Sequence, residues 1–201
     1  MKRVAVVSLK GGCSKTTVSF NLACHWAGKS PTVAVDLDPQ GSLSDLYQRR
    51  EDKSNLELVQ LTRTHLEGRL RSIEGYSYMV IDTPPATSVS MSGAIRAADL
   101  VVVCVRPGYS DYDSLQKMLP LLEEAQGKVL ILLTQTSNTT LSKTFRQAIE
   151  GNGYPILKTE LKTRVTYAES VSEGKNVTEY AKGSIASTEL KKIIREIEDH
   201  L

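Results

Sequence analysis

Five short apolar runs punctuate the chain: Val4–Leu9, Thr32–Asp36, Tyr78–Asp82, Leu100–Val105 and Val129–Leu133. They are rich in β-branched residues and carry no polar alternation. A strand with one wet face alternates, so runs of this kind belong to strands buried on both faces of a parallel sheet. Between them lie segments with helical spacing: Thr16–Ala27, where Val18, Leu22 and Trp26 recur at i+4 steps, then Ser90–Ala98, Asp113–Ala125 and Leu141–Glu150. Strands and helices that alternate from end to end imply an α/β fold, a doubly wound and mostly parallel sheet with helices on both faces. The tail Thr188–Leu201 sets Leu190, Ile193, Ile194, Ile197 and Leu201 on one helical face. Arg49–Asn55 is polar and reads as a surface loop.

Composition narrows the class. The 201 residues are 40% hydrophobic and 24% charged, which fits neither a disordered chain nor a coiled coil. One domain over residues 1–201 is the expectation. No run approaches the roughly 18 apolar residues of a membrane-spanning helix. The start, MKRVAVVSLKGG, lacks a small-residue cleavage site and reads as a first strand rather than a signal peptide. Cys13, Cys24 and Cys104 lie too far apart for a CxxC metal site or a disulfide framework, so a reducing cytoplasm is expected. His25, His65 and His200 have no ligand spacing. A net charge of +2 does not by itself announce a nucleic-acid partner.

The first strand runs into KGGCSKTT, residues 10–17, and then into a helical pattern. A nucleotide's phosphates need inward-pointing backbone N–H groups, a lysine for the β/γ oxygens and a hydroxyl for Mg²⁺. Glycines let the backbone approach, and a helix N-terminus adds a favourable dipole. Gly11, Gly12, Lys15 and Thr16 supply those parts. The general pattern GxxxxGK[ST] is not met literally, because Ser14 precedes Lys15. Asp82 closes a buried strand and is suited to hold Mg²⁺ through water. Asp36 ends another and Asp38 lies just past it, where the alternative is a pair of solvated loop charges.

KGGxxKTT resembles the deviant Walker A motif of the ParA/MinD superfamily, whose usual form is KGGxGKTT. Two further stretches match that superfamily in order. They are the switch I pattern DxDPQG at Asp36–Gly41 and the Walker B-like end hhDTPP at Val80–Pro85. Residues 164–177, RVTYAESVSEGKNV, resemble a C-terminal stretch of the short, ParF-like plasmid-partition ATPases. One departure stands out, Ser14 for the superfamily's glycine. If the position requires positive φ, serine costs roughly 1 kcal/mol there, small against Mg-nucleotide binding.

The resemblance implies a P-loop ATPase with ATP and Mg²⁺ as its cofactors. Lys10, Lys15 and Asp38 would be catalytic. Lys15 would hold the β/γ phosphates, Asp38 would orient the attacking water, and Lys10 would reach across a nucleotide-sandwich homodimer to the partner's phosphates. The nucleotide-binding set would be Lys10, Gly11, Gly12, Cys13, Ser14, Lys15, Thr16, Thr17 and Pro107, and the metal set Thr16, Asp36 and Asp82. A guanine-reading NKxD motif is missing where the fifth run ends, Leu133-Thr134-Gln135-Thr136, which favours ATP over GTP. Pro107–Tyr112 resembles a proline-containing segment near the adenine and the dimer interface; a plain strand-to-helix loop accounts for it equally well.

The same resemblance implies non-specific DNA binding by the ATP dimer. Residues 143–182 carry seven basic and five acidic side chains, and Lys158, Lys162 and Arg164 are the densest basic group. Arg164 matches a superfamily position implicated in DNA contact. An aromatic content of 5% offers no stacking platform for single strands. The tail mixes Lys191, Lys192 and Arg195 with Glu196, Glu198 and Asp199, so packing on the sheet explains it better than a membrane surface. The expected protein is a dimerising, weakly active ATPase switch for partition of plasmid or chromosomal DNA, cytoplasmic and nucleoid-associated when ATP-bound. A MinD-like or ParA-like positioner of a non-DNA cargo, or a membrane-cycling switch, is the alternative. The phosphate loop begins at residue 10, which leaves no room for an N-terminal helix-turn-helix module. A separate small centromere-binding adaptor would then read the DNA sequence and stimulate hydrolysis.

Overall fold

The computed structural model describes residues 1–61, 65–86 and 88–201. Among these residues, seven parallel strands form a sheet in the order β3-β2-β4-β1-β5-β6-β7. They are β1 (Lys2–Val7), β2 (Thr32–Asp36), β3 (Leu56–Gln60), β4 (Tyr78–Asp82), β5 (Leu100–Val105), β6 (Lys128–Thr136) and β7 (Leu161–Lys162). The helices are α1 (Lys15–Ala27), α2 (Ser42–Arg49), α3 (Leu66–Ser72), α4 (Val89–Ala97), α5 (Tyr109–Leu122), α6 (Thr140–Gly151), α7 (Val165–Ser172), α8 (Val177–Tyr180) and α9 (Ile185–Glu198). The doubly wound expectation holds.

The strand runs lack polar alternation because both faces are covered. On β1, Val4 and Val6 pack into one core with Leu22, Trp26, Leu190 and Ile194, while Ala5 and Val7 join Met91, Ile95, Leu115 and Met118 on the other side. Trp26 closes the first core, stacked on Tyr78 with ring centroids 4.7 Å apart and its indole N–H donating to Glu198 at 2.9 Å. The apolar face of α9 is buried in that same core, with Leu190, Ile193, Ile194 and Ile197 at most 1% exposed.

Several boundaries differ from the sequence reading. β1 ends at Val7 rather than Leu9, because the chain leaves the sheet to form the glycine loop. α5 begins at Tyr109, so the last four residues of the segment Pro107–Tyr112 form a first helical turn rather than loop. β3 and β7 were not expected: the first is a half-exposed edge strand, the second only two residues long. Within Arg49–Asn55, Arg50 is buried and makes a two-pronged ion pair with Glu179 at 2.9 Å. This pair ties the end of α2 to α8. Gly174 (φ 65) makes the approach possible, since a Cβ there would lie 2.4 Å from the Arg49 carbonyl oxygen.

β1 feeds α1 on one face, while its neighbours β4 and β5 feed α4 and α5 on the other. Those connections diverge at the carboxyl edge of the sheet, the place where open α/β folds form their ligand crevice.

Candidate nucleotide site

The glycine loop occupies that crevice. Gly12 takes φ 72, and Ser14 takes φ 60 and ψ 18, so the position where the superfamily carries glycine does require the left-handed region. Serine there costs on the order of 1–2 kcal/mol. α1 starts at Lys15, and its first N–H groups have no acceptor within the helix and face the crevice end of the dipole.

Lys15 is 7% exposed, and its ammonium donates to the Lys10 carbonyl oxygen at 3.2 Å. Among the described residues no carboxylate lies within ion-pair distance of it. A buried cation without an anionic partner is costly, and an anion entering the loop removes that cost.

The carboxyl ends of β2 and β4 bring Asp36 and Asp82 into register beside the loop. Asp82 is fully buried and accepts hydrogen bonds from the hydroxyls of Thr16 and Ser19, both at 2.8 Å. Burial pushes its carboxyl up to about 7, against the opposing pull of those two hydroxyls. Asp36 has a duty the sequence reading did not foresee. Its oxygens accept from the Asp38 N–H at 3.0 Å and from the N–H and hydroxyl of Ser44 at 2.9 and 2.7 Å, which secures the start of α2. Asp38 is half-buried one turn away and accepts from the Gln40 N–H at 3.0 Å.

Hard oxygen donors at Thr16 and Asp82, beside a glycine loop and a lysine bonded only to a loop carbonyl among the described residues, are the donor set Mg²⁺ and a phosphate chain call for. The residues fit the pair. Thr17 follows in the first turn of α1, where its carbonyl accepts from the Asn21 amide at 2.8 Å. Pro107 lies half-buried between β5 and α5.

Lys10 stands at the opposite lip of the loop. Its ammonium contacts the Ser110 hydroxyl and Asp111 at 3.4 Å. Asp111 also accepts from Arg106 at 3.2 Å and faces the Cys13 thiol at 3.8 Å. Arg106 and Asp111 were not singled out from the sequence. Nothing in residue spacing signals that the end of β5 and the first turn of α5 meet residue 10.

The three basic residues expected to contact DNA do come together. Lys158, Lys162 and Arg164 line an open groove of about 520 Å³ with Lys192, Thr188, Glu189 and Ile185. Arg164 pairs with Glu189 at 2.9 Å, and Lys162 donates to the Asn138 side chain at 2.8 Å. Lys192 was read only as part of the tail's polar face; the packing of α9 brings it to the groove. Ile185, at the start of α9, is 71% exposed on the rim.

Comparison with known proteins agrees with this architecture. A family model described as the CobQ/CobB/MinD/ParA nucleotide binding domain matches residues 4–177. The chain is 30% identical over 187 residues to a maintenance of carboxysome distribution protein A of Gloeobacter kilaueensis, covering 88% of this chain and 84% of that one. It is 26% identical to the chromosome-partitioning ATPase Soj of Thermus thermophilus, covering 98% and 95%. A plasmid partition protein of Borrelia burgdorferi, solved bound to AMPPNP, superposes with a TM-score of 0.83 at 16% identity, covering 100% of this chain and 99% of that one.

Proposed function

The chain belongs to the CobQ/CobB/MinD/ParA nucleotide-binding family, and on that premise we propose that it is a Mg-ATP-dependent, dimerising ATPase switch that binds DNA non-specifically and partitions DNA. The observation that carries the reading is the buried Lys15 ammonium, without a carboxylate partner among the described residues, inside a glycine loop at a helix N-terminus. Lys15 and the first N–H groups of α1 bind the phosphates, and Thr16 and Asp82 hold Mg²⁺. When bound, Mg²⁺ neutralises charge that develops on the phosphates. Asp38 orients the attacking water. Lys10 leaves its cis contact with Asp111 to reach the second protomer's nucleotide, so that dimer formation and hydrolysis are one event. Turnover is slow until a separate adaptor stimulates it, and the protein works in the cytoplasm, on the nucleoid while ATP-bound.

The groove supports the DNA step. Lys158, Lys162 and Lys192 have no carboxylate partner among the described residues, and a two-fold dimer doubles their charge. Cargo other than DNA is the second reading, favoured by the 30% identity to a protein named for carboxysome distribution. The deciding experiment is co-sedimentation with DNA of no particular sequence, with ATP, with ADP and without nucleotide. ATP-dependent binding that Lys15→Ala and Lys162→Glu each abolish is the expected result. Binding indifferent to nucleotide, or tight ATP binding retained by Lys15→Ala, overturns the reading.

A further inference from the structure

A second non-glycine residue in the left-handed region faces Ser14. Gln135 takes φ 51 where β6 shifts register against β7, between Thr134 and Thr136. A bulge at a strand's carboxyl end re-aims a side chain, and backbone strain of this kind persists only where the surroundings over-determine it. The bulge turns the Gln135 amide onto the phosphate loop, where it donates to the Gly12 carbonyl and, at 3.1 Å, to the Ser14 hydroxyl. The preceding residue, Thr134, is fully buried and donates to the Cys13 carbonyl at 3.1 Å. Two consecutive strand residues thereby hold three consecutive loop residues more than 120 positions away. Ser14 makes no capping bond to α1, so its hydroxyl is free to serve this contact.

We propose that Gln135 is a positioning residue for the phosphate loop and that Ser14 is its partner, so that the serine in place of glycine is half of a clamp. The inference rests on the nucleotide-site reading of residues 10–17. The amide pins the carbonyl of Gly12 away from the crevice, which leaves the loop N–H groups turned toward the phosphates. The Ser14 hydroxyl gives it a second hold that glycine lacks. The pair offsets its own backbone strain by making the loop stiff before nucleotide arrives, and preorganised loops bind more tightly.

The test is a double-mutant cycle read as MgADP affinity with a fluorescent ADP analogue. Gln135→Ala weakens binding about tenfold, the loss expected from one or two hydrogen bonds. In a chain carrying Ser14→Gly the same change costs only about two- to threefold, because the serine half of the contact is already gone. Gln135→Lys, which keeps a donor for Gly12, retains affinity, whereas Gln135→Glu, which offers only acceptors, loses it. Gln135 is exposed, so the melting temperature of Gln135→Ala stays within about 2 °C of the parent. Unchanged affinity in Gln135→Ala, or equal losses with and without the Ser14→Gly change, overturns the clamp while leaving the site reading intact. Failure of the unaltered chain to bind MgADP or MgATP overturns both.

Discussion

Asp82 shows how one residue carries two opposed demands. Buried among Thr16 and Ser19, its carboxyl is pushed up to about 7 by loss of water. A carboxyl whose folded value lies above its unfolded one binds its proton more strongly in the folded chain. The stability this adds is full below the unfolded value and is lost as pH rises through about 7. Asp82→Asn keeps one acceptor oxygen, presents an N–H donor to the second hydroxyl, and removes the titration. The stability of that variant relative to the parent, measured by urea unfolding without nucleotide, is therefore expected to increase as pH is raised from about 4 to about 7. A difference that stays flat with pH sinks the argument. Asp38 is a contrast, half-buried and bonded to its own turn. Asp38→Ala is expected to keep nucleotide affinity and accumulate an ATP dimer, checked by light scattering; normal turnover contradicts its water-orienting role.

At the scale of elements, α2 and α8 are coupled through one buried cation. Arg50 spends two N–H groups on Glu179 and one on the Gly174 carbonyl, and its Nε is buried without a partner among the described residues. Removing the guanidinium leaves a carboxylate that is 37% exposed, so solvent softens the loss. Arg50→Ala is expected to destabilise by about 2–3 kcal/mol, below the range for fully buried pairs. Thermal denaturation checks it, at roughly 2–4 °C per kcal/mol for a chain of this size. Helix α9 is held differently, by apolar packing along Ile193, Ile194 and Ile197. Ile193→Ala removes a fully buried side chain and is expected to cost about 2–4 kcal/mol in the same assay. A loss under about 0.5 kcal/mol, the ordinary surface value, would mean that the face is not packed.

For the whole molecule, the carboxyl end of β6 is the shared wall of two sites. Thr134 and Gln135 touch the phosphate loop, and Asn138 accepts from Lys162 in the basic groove. α2, whose start is secured by Asp36, reaches α8 through Arg50. Nucleotide and groove therefore lie on one continuous edge rather than on separate modules. Lys10→Ala belongs to this scale. With the cis contact to Asp111 gone as well, nucleotide affinity is expected to hold while the ATP-dependent dimer disappears, seen by size-exclusion chromatography with light scattering. A full-strength dimer in that variant removes the trans role of Lys10.

The five buried strands, the glycine loop and its following helix were legible from residues alone, because apolar burial and backbone demands at a phosphate loop are local and leave local signatures. Asp36 and Asp82 were legible as strand-ending carboxylates for the same reason. The positive φ of Ser14 was legible only as a condition, and tertiary structure supplied the angle. The contacts of Gln135, Arg50 and Lys192 were decided by the fold, since each partner lies far along the chain or on an element with no periodicity to betray it. Arg106 and Asp111 are neighbours in sequence, yet what they meet at Lys10 and Cys13 is set by the crossing from β4 over β1 to β5. A chain can declare which residues are suited to hold a phosphate. Which distant side chains hold the loop that holds it is a property of the sheet order.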